Sequence, residues 1–383
     1  MSWSAHLVQT MTGRVGEQLD LATGPSWTIP LNGIEDLSVT VPRAQLREID
    51  PLWRRPRMAS VLLCWESEAL GRVPWILAPI SQRPTEDRDT DSAQFACRGI
   101  GMLLEKRTLF ARDFAPGEES DLVKSVFSRK GMSLGTIAQD IVRASTEEKV
   151  GGYLPLRYAS PREVASGLNE RNYEGHNMAN NGTWKLLTEL TEVINGPDIA
   201  FRPEFVDDSP EYVRWAMYHG TRAQPTIAQE WMMDLDATAP EGPVVDLVPK
   251  FSDSERAQKV YWTGAGEGAG VLARVAFNIN GLADHDPLVE VVGSTSDSEN
   301  PELIQAHADA ALANGSDTLL QLSVTIDGSD PDAEIGRWRV GDAAWVKTEG
   351  WLDVADGRHQ RRIISAKGGG GTEVTLEFQE DTW

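Results

Sequence analysis

Asn300-Pro301-Glu302-Leu303-Ile304-Gln305-Ala306-His307-Ala308-Asp309-Ala310-Ala311-Leu312-Ala313-Asn314-Gly315, followed by Leu319-Leu320-Gln321-Leu322-Ser323-Val324-Thr325-Ile326, is the stretch that decides the fold. Asn300 is a good N-cap, Pro301 suits the first helical turn, and Glu302 faces the positive end of the helix dipole. Leu303, Ile304, His307, Ala308, Ala311 and Leu312 recur at helical spacing, and Asn314-Gly315 stops the helix. Strands then follow: Leu319–Ile326, Ala343-Ala344-Trp345-Val346-Lys347 after a turn at Val340-Gly341-Asp342, and Gln360-Arg361-Arg362-Ile363-Ile364-Ser365. Gly368 to Gly371 turn the chain into Glu373-Val374-Thr375-Leu376-Glu377-Phe378. This cassette holds no catalytic grouping. It reads as a part that other proteins pack against.

Working outward, residues 1–112 are predicted to be mostly β, with strands at Ser4–Thr10, Ile34–Val41, Ser60–Glu66, Trp75–Arg83 and Asp91–Gly99. Arg43–Asp50 is a short helix ahead of Pro51, and Arg54-Arg55-Pro56-Arg57 is a turn. Residues 113–240 change character. Leu134–Ser145 is a helix, and Thr183–Ile194 is a second, capped by Asn181 or Thr183 and ended by Asn195-Gly196-Pro197. Ile199–Val206 and Tyr212–Met217 pair as a hairpin, and Leu154 to Asn180 is a long polar loop. From about Val245 the chain is β again, with Ala257–Thr263 and Val271–Asn278 flanking a glycine loop at Gly264–Gly270. The expected fold class is α+β, mainly β. A β-barrel-like domain (1–112) and a second one (241–383, with the helix at 300–314) flank an α+β insert (113–240).

Composition narrows the function. The chain has 383 residues and a net charge of −22, which argues against a surface that binds nucleic acid through its phosphates. An acidic surface does suit a channel that nucleic acid must pass without sticking. No apolar run approaches the roughly 20 residues of a membrane-spanning helix. The N-terminus Met1-Ser2-Trp3-Ser4-Ala5-His6 is not a secretory signal, so folding in a cytoplasm is expected. Cys64 and Cys97, each in a strand-like run, read as buried reduced thiols. Thirteen tryptophans, scattered through β-like runs, read as core and interface filler rather than a sugar platform.

The chemical motifs are weak. Gly131-Met132-Ser133-Leu134-Gly135 matches the nucleophile-elbow letters, but the preceding Val126-Phe127-Ser128-Arg129-Lys130 is short and half polar, and a capping role for Ser133 explains the same letters. Gly264, Gly266 and Ala269 fit a loose dinucleotide pattern, but a strand rather than a helix follows, so a hairpin loop is expected. Asp327-Gly328-Ser329-Asp330-Pro331-Asp332 lacks calcium-loop spacing and reads as a turn. Asp284-His285-Asp286 reads as a solvated loop. No catalytic, cofactor or metal residue is assigned, and the chain is not expected to be an enzyme.

The opening Trp3-Ser4-Ala5-His6-Leu7-Val8 with Thr12-Gly13 resembles the start of minor tail proteins from siphophages of actinobacteria. Trp184-Lys185-Leu186-Leu187-Thr188-Glu189-Leu190, running into Asn195-Gly196-Pro197-Asp198-Ile199-Ala200-Phe201, is similar to a passage of the Gp37-like tail proteins, as is the close at Val340-Gly341-Asp342 and Arg362-Ile363-Ile364-Ser365. That family resembles the tail-hub or baseplate-hub proteins of tailed phages. The resemblance implies a virion protein assembled in the host cytoplasm and placed at the tail tip. It implies a homotrimer in which two small barrels per chain alternate around a ring, with the insert hanging toward the tip. The implied partners are the distal tail protein ring, the tape measure protein and other tail-tip proteins, with phage DNA passing through unbound. It implies no cofactor. The alternatives are a hexameric distal tail protein and a receptor- or carbohydrate-binding minor tail protein.

Overall fold

Strict alternation along Asp36–Pro42 sets the pattern for most of the β structure: Leu37, Val39 and Val41 are buried, and the residues between them are not. This is the period of a strand with one face in a core. Ser2–Gln9 and Ala59–Ser67 instead run buried on both faces, from Trp3 to Val8 and from Ala59 to Trp65. They are the two central strands of a four-stranded antiparallel sheet ordered Val15–Leu19, Ser2–Gln9, Ala59–Ser67, Gly71–Pro79. The computed structural model describes residues 1–165, 168–193, 195–207, 209–252, 256–278, 287–295, 300–315 and 319–380.

The chain forms two compact units, one of residues 1–247 with 324–383 and one of residues 248–323. In the first, strands from both ends of the chain share a ten-stranded sheet. Gly357–Gly368 lies between Glu373–Glu380 and Thr23–Pro30, and Asp36–Pro42, Ser92–Arg98 and Thr85–Asp87 follow in order. Ala343–Thr348 also pairs with Gly357–Gly368, and Met233–Asp236 pairs with it in parallel. The protein is thus mainly β, as expected. The expected barrels are not seen: among the described residues no sheet closes on itself, and the largest one branches at Gly357–Gly368. The reason is visible in the pairing, because the Thr23–Pro30 strand bonds to the C-terminal hairpin rather than closing on its own N-terminal sheet.

The middle of the chain packs on the four-stranded sheet. Ile199–Val206 and Ser209–His219 form the predicted antiparallel hairpin, with Leu156–Tyr158 parallel to the second strand. Its apolar face (Phe201, Val213, Trp215, Met217) shares one core with Ile137, Ile141 and Leu186 from the helices Leu134–Thr146 and Thr183–Thr191, and with Leu62 and Leu77 of the sheet. Trp215 Nε1 donates to the Leu77 carbonyl at 2.9 Å.

Three expectations need correction here. The Leu154–Asn180 stretch is not a long loop, since it contributes Leu156–Tyr158 and Asn169–Glu174, the latter antiparallel to Val126–Met132. Asn169-Glu170-Arg171-Asn172-Tyr173-Glu174 shows no apolar alternation: Tyr173 alone of the six is apolar, packing beside Phe127, and strand pairing holds the rest. The second helix ends at Thr191, and its N-cap is Gly182, with no side-chain cap bond. Asn181 is drawn away to the Glu174 carbonyl and Thr183 to the Ser145 hydroxyl. A short helix, Glu119–Lys124, was not predicted.

In the second unit, Lys259–Thr263 pairs antiparallel with Ala273–Phe277 around the glycine loop and parallel with Glu290–Ser294. The helix Pro301–Asn314 packs on this three-stranded sheet, burying Ile304 and Ala308, with Val260 and Ala276 in the small core. Asn300 Oδ1 accepts from the Glu302 amide at 3.0 Å, so the cap read from the letters is the cap that forms. Leu303 turns outward and is exposed. Asp284-His285-Asp286 lies outside the described residues.

Candidate functional site

Period-two geometry on the Ile199–Val206 and Ser209–His219 hairpin sends Phe201 and Trp215 into the core and leaves Arg202, Glu204, Arg214 and Tyr218 on the opposite face. Leu156–Tyr158 adds Arg157 beside Ala216 on that face. Arg157 donates to both carboxylate oxygens of Glu204, through Nε and Nη2, and its Nη2 lies 3.4 Å from the Tyr218 hydroxyl. Arg214 Nε donates to Glu204 Oε1 at 2.5 Å. Burial pushes the Glu204 carboxyl up, but the hydrogen bonds from Arg157 and Arg214 outweigh it and hold it below the usual carboxylate range. Two guanidiniums therefore share one ionised carboxylate.

A second such centre lies at the Val340-Gly341-Asp342 turn. Gly341 has φ +97, where glycine carries no steric cost. The turn lets Asp342 Oδ2 accept from the Arg339 amide at 2.8 Å. Asp342 Oδ1 accepts no hydrogen bond and faces Arg202 Nη2 across 3.8 Å. Burial pushes the Asp342 carboxyl up. Arg202 stacks on the Tyr218 ring with its guanidinium carbon 5.0 Å from the centroid, and Arg339 lies 4.8 Å over Trp75. Burial, reinforced by the neighbouring Arg202 charge, pulls Arg339 down to about 10, still charged at neutral pH. Both centres line one cavity of about 930 Å³, together with Arg72, Arg337, Asp207 and Glu230. Arg72 is paired with Glu66 at 2.7 Å and Arg337 with Glu334 at 3.4 Å. Sequence reasoning missed this site because its arginines are far apart in the chain. The available signal was the Arg202 and Glu204 alternation facing Arg214 in an otherwise acidic protein.

Trp3, Trp27, Trp65, Trp75, Trp215 and Trp338 lie in the core, as the sequence suggested, whereas Trp351 is exposed. Trp65, Trp3, Trp27, Trp75 and Trp338 form a continuous edge-to-face series with centroid separations of 4.9, 5.7, 5.6 and 5.2 Å. All five are buried. Such contacts add about 0.5–1.5 kcal/mol each beyond the area they remove from water. The series runs from the four-stranded sheet (Trp3, Trp65, Trp75) to the large sheet (Trp27), with Trp338 ahead of the Asp342 turn.

The weighed motifs resolve into structural roles. Ser133 is the N-cap of Leu134–Thr146: its Oγ accepts from the Thr136 amide at 3.3 Å and lies 3.0 Å from Thr136 Oγ1, almost fully buried. The half-polar residues before it do form a strand, Val126–Met132, against expectation, because Asn169–Glu174 pairs with it. Gly264–Gly270 is a hairpin loop. Asp327 Oδ1 accepts from the Ser329 amide and hydroxyl at 2.9 and 2.7 Å, closing a turn. Cys64 and Cys97 are buried free thiols, and burial pushes Cys64 up to about 12 and Cys97 further. Among the described residues no group of three His, Cys, Asp or Glu side chains converges as a metal site, and no helix is long and apolar enough to cross a membrane.

Comparison with known proteins bears on the fold. No family profile and no curated protein sequence matches this chain. Among solved structures, it is similar to the tail protein from Neisseria meningitidis, at 14% identity and a TM-score of 0.55, covering 100% of this chain and 97% of that one. It is likewise similar to the 43 kDa tail protein of prophage MuSo2 from Shewanella oneidensis, at 11% identity and a TM-score of 0.56, covering 99% and 98%. The chain therefore has the fold of phage-type tail proteins along its whole length.

Proposed function

We propose that this chain is a structural subunit of a phage-type tail, the hub that closes the tail tube at its tip and forms part of the DNA ejection channel. The observation that carries this reading is the end-to-end likeness to two tail proteins, with nearly all of each chain covered. In this reading the subunit is a homotrimer of the virion tail tip, of the kind found in siphophage minor tail proteins. Residues 1–112 and 241–383 supply the two ring-building β segments, and residues 113–240 form the insert that hangs toward the tip. The neighbours in the assembly are the distal tail ring, the tape measure protein and other tip proteins. DNA passes without specific binding, in keeping with the net charge of −22. The protein acts by assembly rather than by catalysis.

Imaging of assembled tails tests this directly. Three copies in a ring at the tip are expected. Six copies in the layer above would assign the distal tail ring instead. A chain that is monomeric at every concentration and missing from purified tails would overturn the reading. Folded protein is expected to leave host peptidoglycan intact on a zymogram, and a cleared zone would refute the non-enzymatic part.

A further inference from the structure

The loop that joins Ala343–Thr348 to Gly357–Gly368 ends in an apolar tip. Glu349-Gly350-Trp351-Leu352-Asp353-Val354-Ala355-Asp356 contains three acids and no base. The cations that flank it are taken, Lys347 by Asp236 at 2.8 Å and Arg358 by Asp234 at 2.6 Å. Glu349 and Asp353 make no ion pair among the described residues. Hydrogen bonds hold the loop in shape. The Gly350 amide donates to Asp356 Oδ1 at 2.7 Å, the Thr348 hydroxyl donates to the Ala355 carbonyl at 2.9 Å, and Val354 is buried. Trp351 is nevertheless 42% exposed and Leu352 100%. Two adjacent large apolar side chains left in water on an ordered loop are what a docking anchor looks like before its partner arrives.

A patch of matching character lies at Arg54-Arg55-Pro56-Arg57. A single tight helical turn, Pro51–Arg54, precedes it, and Asp50 caps that turn by accepting from the Leu52 amide at 2.8 Å. Among the described residues none of Arg54, Arg55 and Arg57 has a carboxylate within ion-pair distance, and Arg54 Nε is buried without a hydrogen-bond partner. The charges around them do not cancel. Residues 47–58 hold four arginines and two acids, Glu48 and Asp50. Glu17, next to the Gly16 that lies against the Trp53 ring, adds a third acid. Arg57 sits at φ +65, in the left-handed region that favours glycine. Exposed apolar residues lie between the arginines: Leu52, Met58, and Met11, whose neighbour Thr10 donates its amide to the Met58 carbonyl at 3.1 Å. Arginine and methionine together are the composition of a protein interface.

We infer that the Trp351-Leu352 tip of one copy docks on the Leu52, Met58 and Met11 patch of a second copy, with Glu349 and Asp353 facing Arg54, Arg55 and Arg57. The inference rests on the ring reading above. Each patch is apolar at its centre, one edged by unpaired carboxylates and the other by unpaired guanidiniums, so each fits the other and repels its own kind. The contact is therefore heterologous, the type that closes a ring. It also lets a protein of charge −22 attract itself at one place while repelling itself elsewhere. The acids around the tip disfavour insertion into an anionic bilayer surface.

The test is the mass of the full chain by light scattering over a concentration series. Leu352→Ser changes a wholly exposed side chain and is expected to weaken association about tenfold. Arg55→Glu with Arg57→Glu is expected to weaken it as much, and so is Glu349→Arg with Asp353→Arg. The chain carrying all four reversals is expected to regain association, which a loss of folding could not produce. Far-UV circular dichroism verifies that each variant is folded. Association unchanged in Leu352→Ser and in both reversals would overturn this inference while leaving the ring reading standing. Tip variants that associate normally but no longer enter purified tails would assign the tip to a different tail protein and likewise overturn it. An unaltered chain that is monomeric at every concentration would overturn the inference, and its absence from purified tails as well would remove the ring reading with it.

Discussion

At the residue scale, Trp27 sits between Trp3 and Trp75 with 2% of its surface exposed. Replacing it with alanine opens a cavity among side chains that cannot collapse into it. We expect Trp27→Ala to cost about 3–5 kcal/mol in urea unfolding; a loss below about 1 kcal/mol would show that the series is not a packed unit. Ser133→Ala should cost about 1 kcal/mol as a lost cap. Glu35 carries a pH signature. Its carboxyl packs against Gly99, and burial pushes it up to about 7. An acid whose folded pKa lies above its unfolded value costs stability once it ionises. That cost is absent below the unfolded value near 4.3 and complete above about 7. Glu35→Gln should therefore raise the thermal midpoint at pH 8 relative to the unaltered chain and change it little near pH 4.5. A pH-independent difference would refute this. Residues of this kind were partly legible. The buried cysteines, Ser133 as a cap and the core role of the tryptophans follow from letters and periodicity, whereas the burial of Glu35 depends on a neighbour 64 positions away.

Among the elements, those with strong local signals came out of the sequence as they stand in the structure. The Pro301–Asn314 helix has its cap, its proline and its terminal glycine within one short stretch. The terminal hairpin has its glycines, and Gly368 is needed for more than the turn: a β carbon there would lie 2.4 Å from the Trp27 ring. We expect Gly368→Val to lower the thermal midpoint by several degrees and to be rescued in part by Trp27→Leu. Additive losses in the double variant would refute the contact. The elements that stayed hidden lack local signals. Asn169–Glu174 offers one aromatic residue, Tyr173, and no alternation, and it exists through its partner Val126–Met132, itself half polar. Each strand is the other's reason for being one, and neither can be read alone.

For the whole molecule, the mainly β class was legible and the sheet pairing was not. Alternation predicts strands but does not say which strand lies beside which. Thr23–Pro30, near one end of the sequence, pairs with Gly357–Gly368, near the other. The arginine cavity was hidden for the same reason, since its two centres join hairpin residues to a turn more than a hundred positions later. The unit of residues 248–323 is one continuous segment, entered along Val244–Ser252 and left along Leu319–Asp327, neighbouring strands of the large sheet. Replacing residues 253–318 with a flexible glycine-serine linker should leave the main thermal transition of the remaining chain in place; its disappearance would show that the first unit depends on the second. The five edge-to-face indoles also make the protein its own optical probe. Rings this close couple their ultraviolet transitions, so the near-ultraviolet dichroism of the folded chain should carry one collective signal rather than the sum of separate chromophores. Because Arg339 of the cavity wall rests on Trp75, displacement of that guanidinium should register as a spectral change without any label.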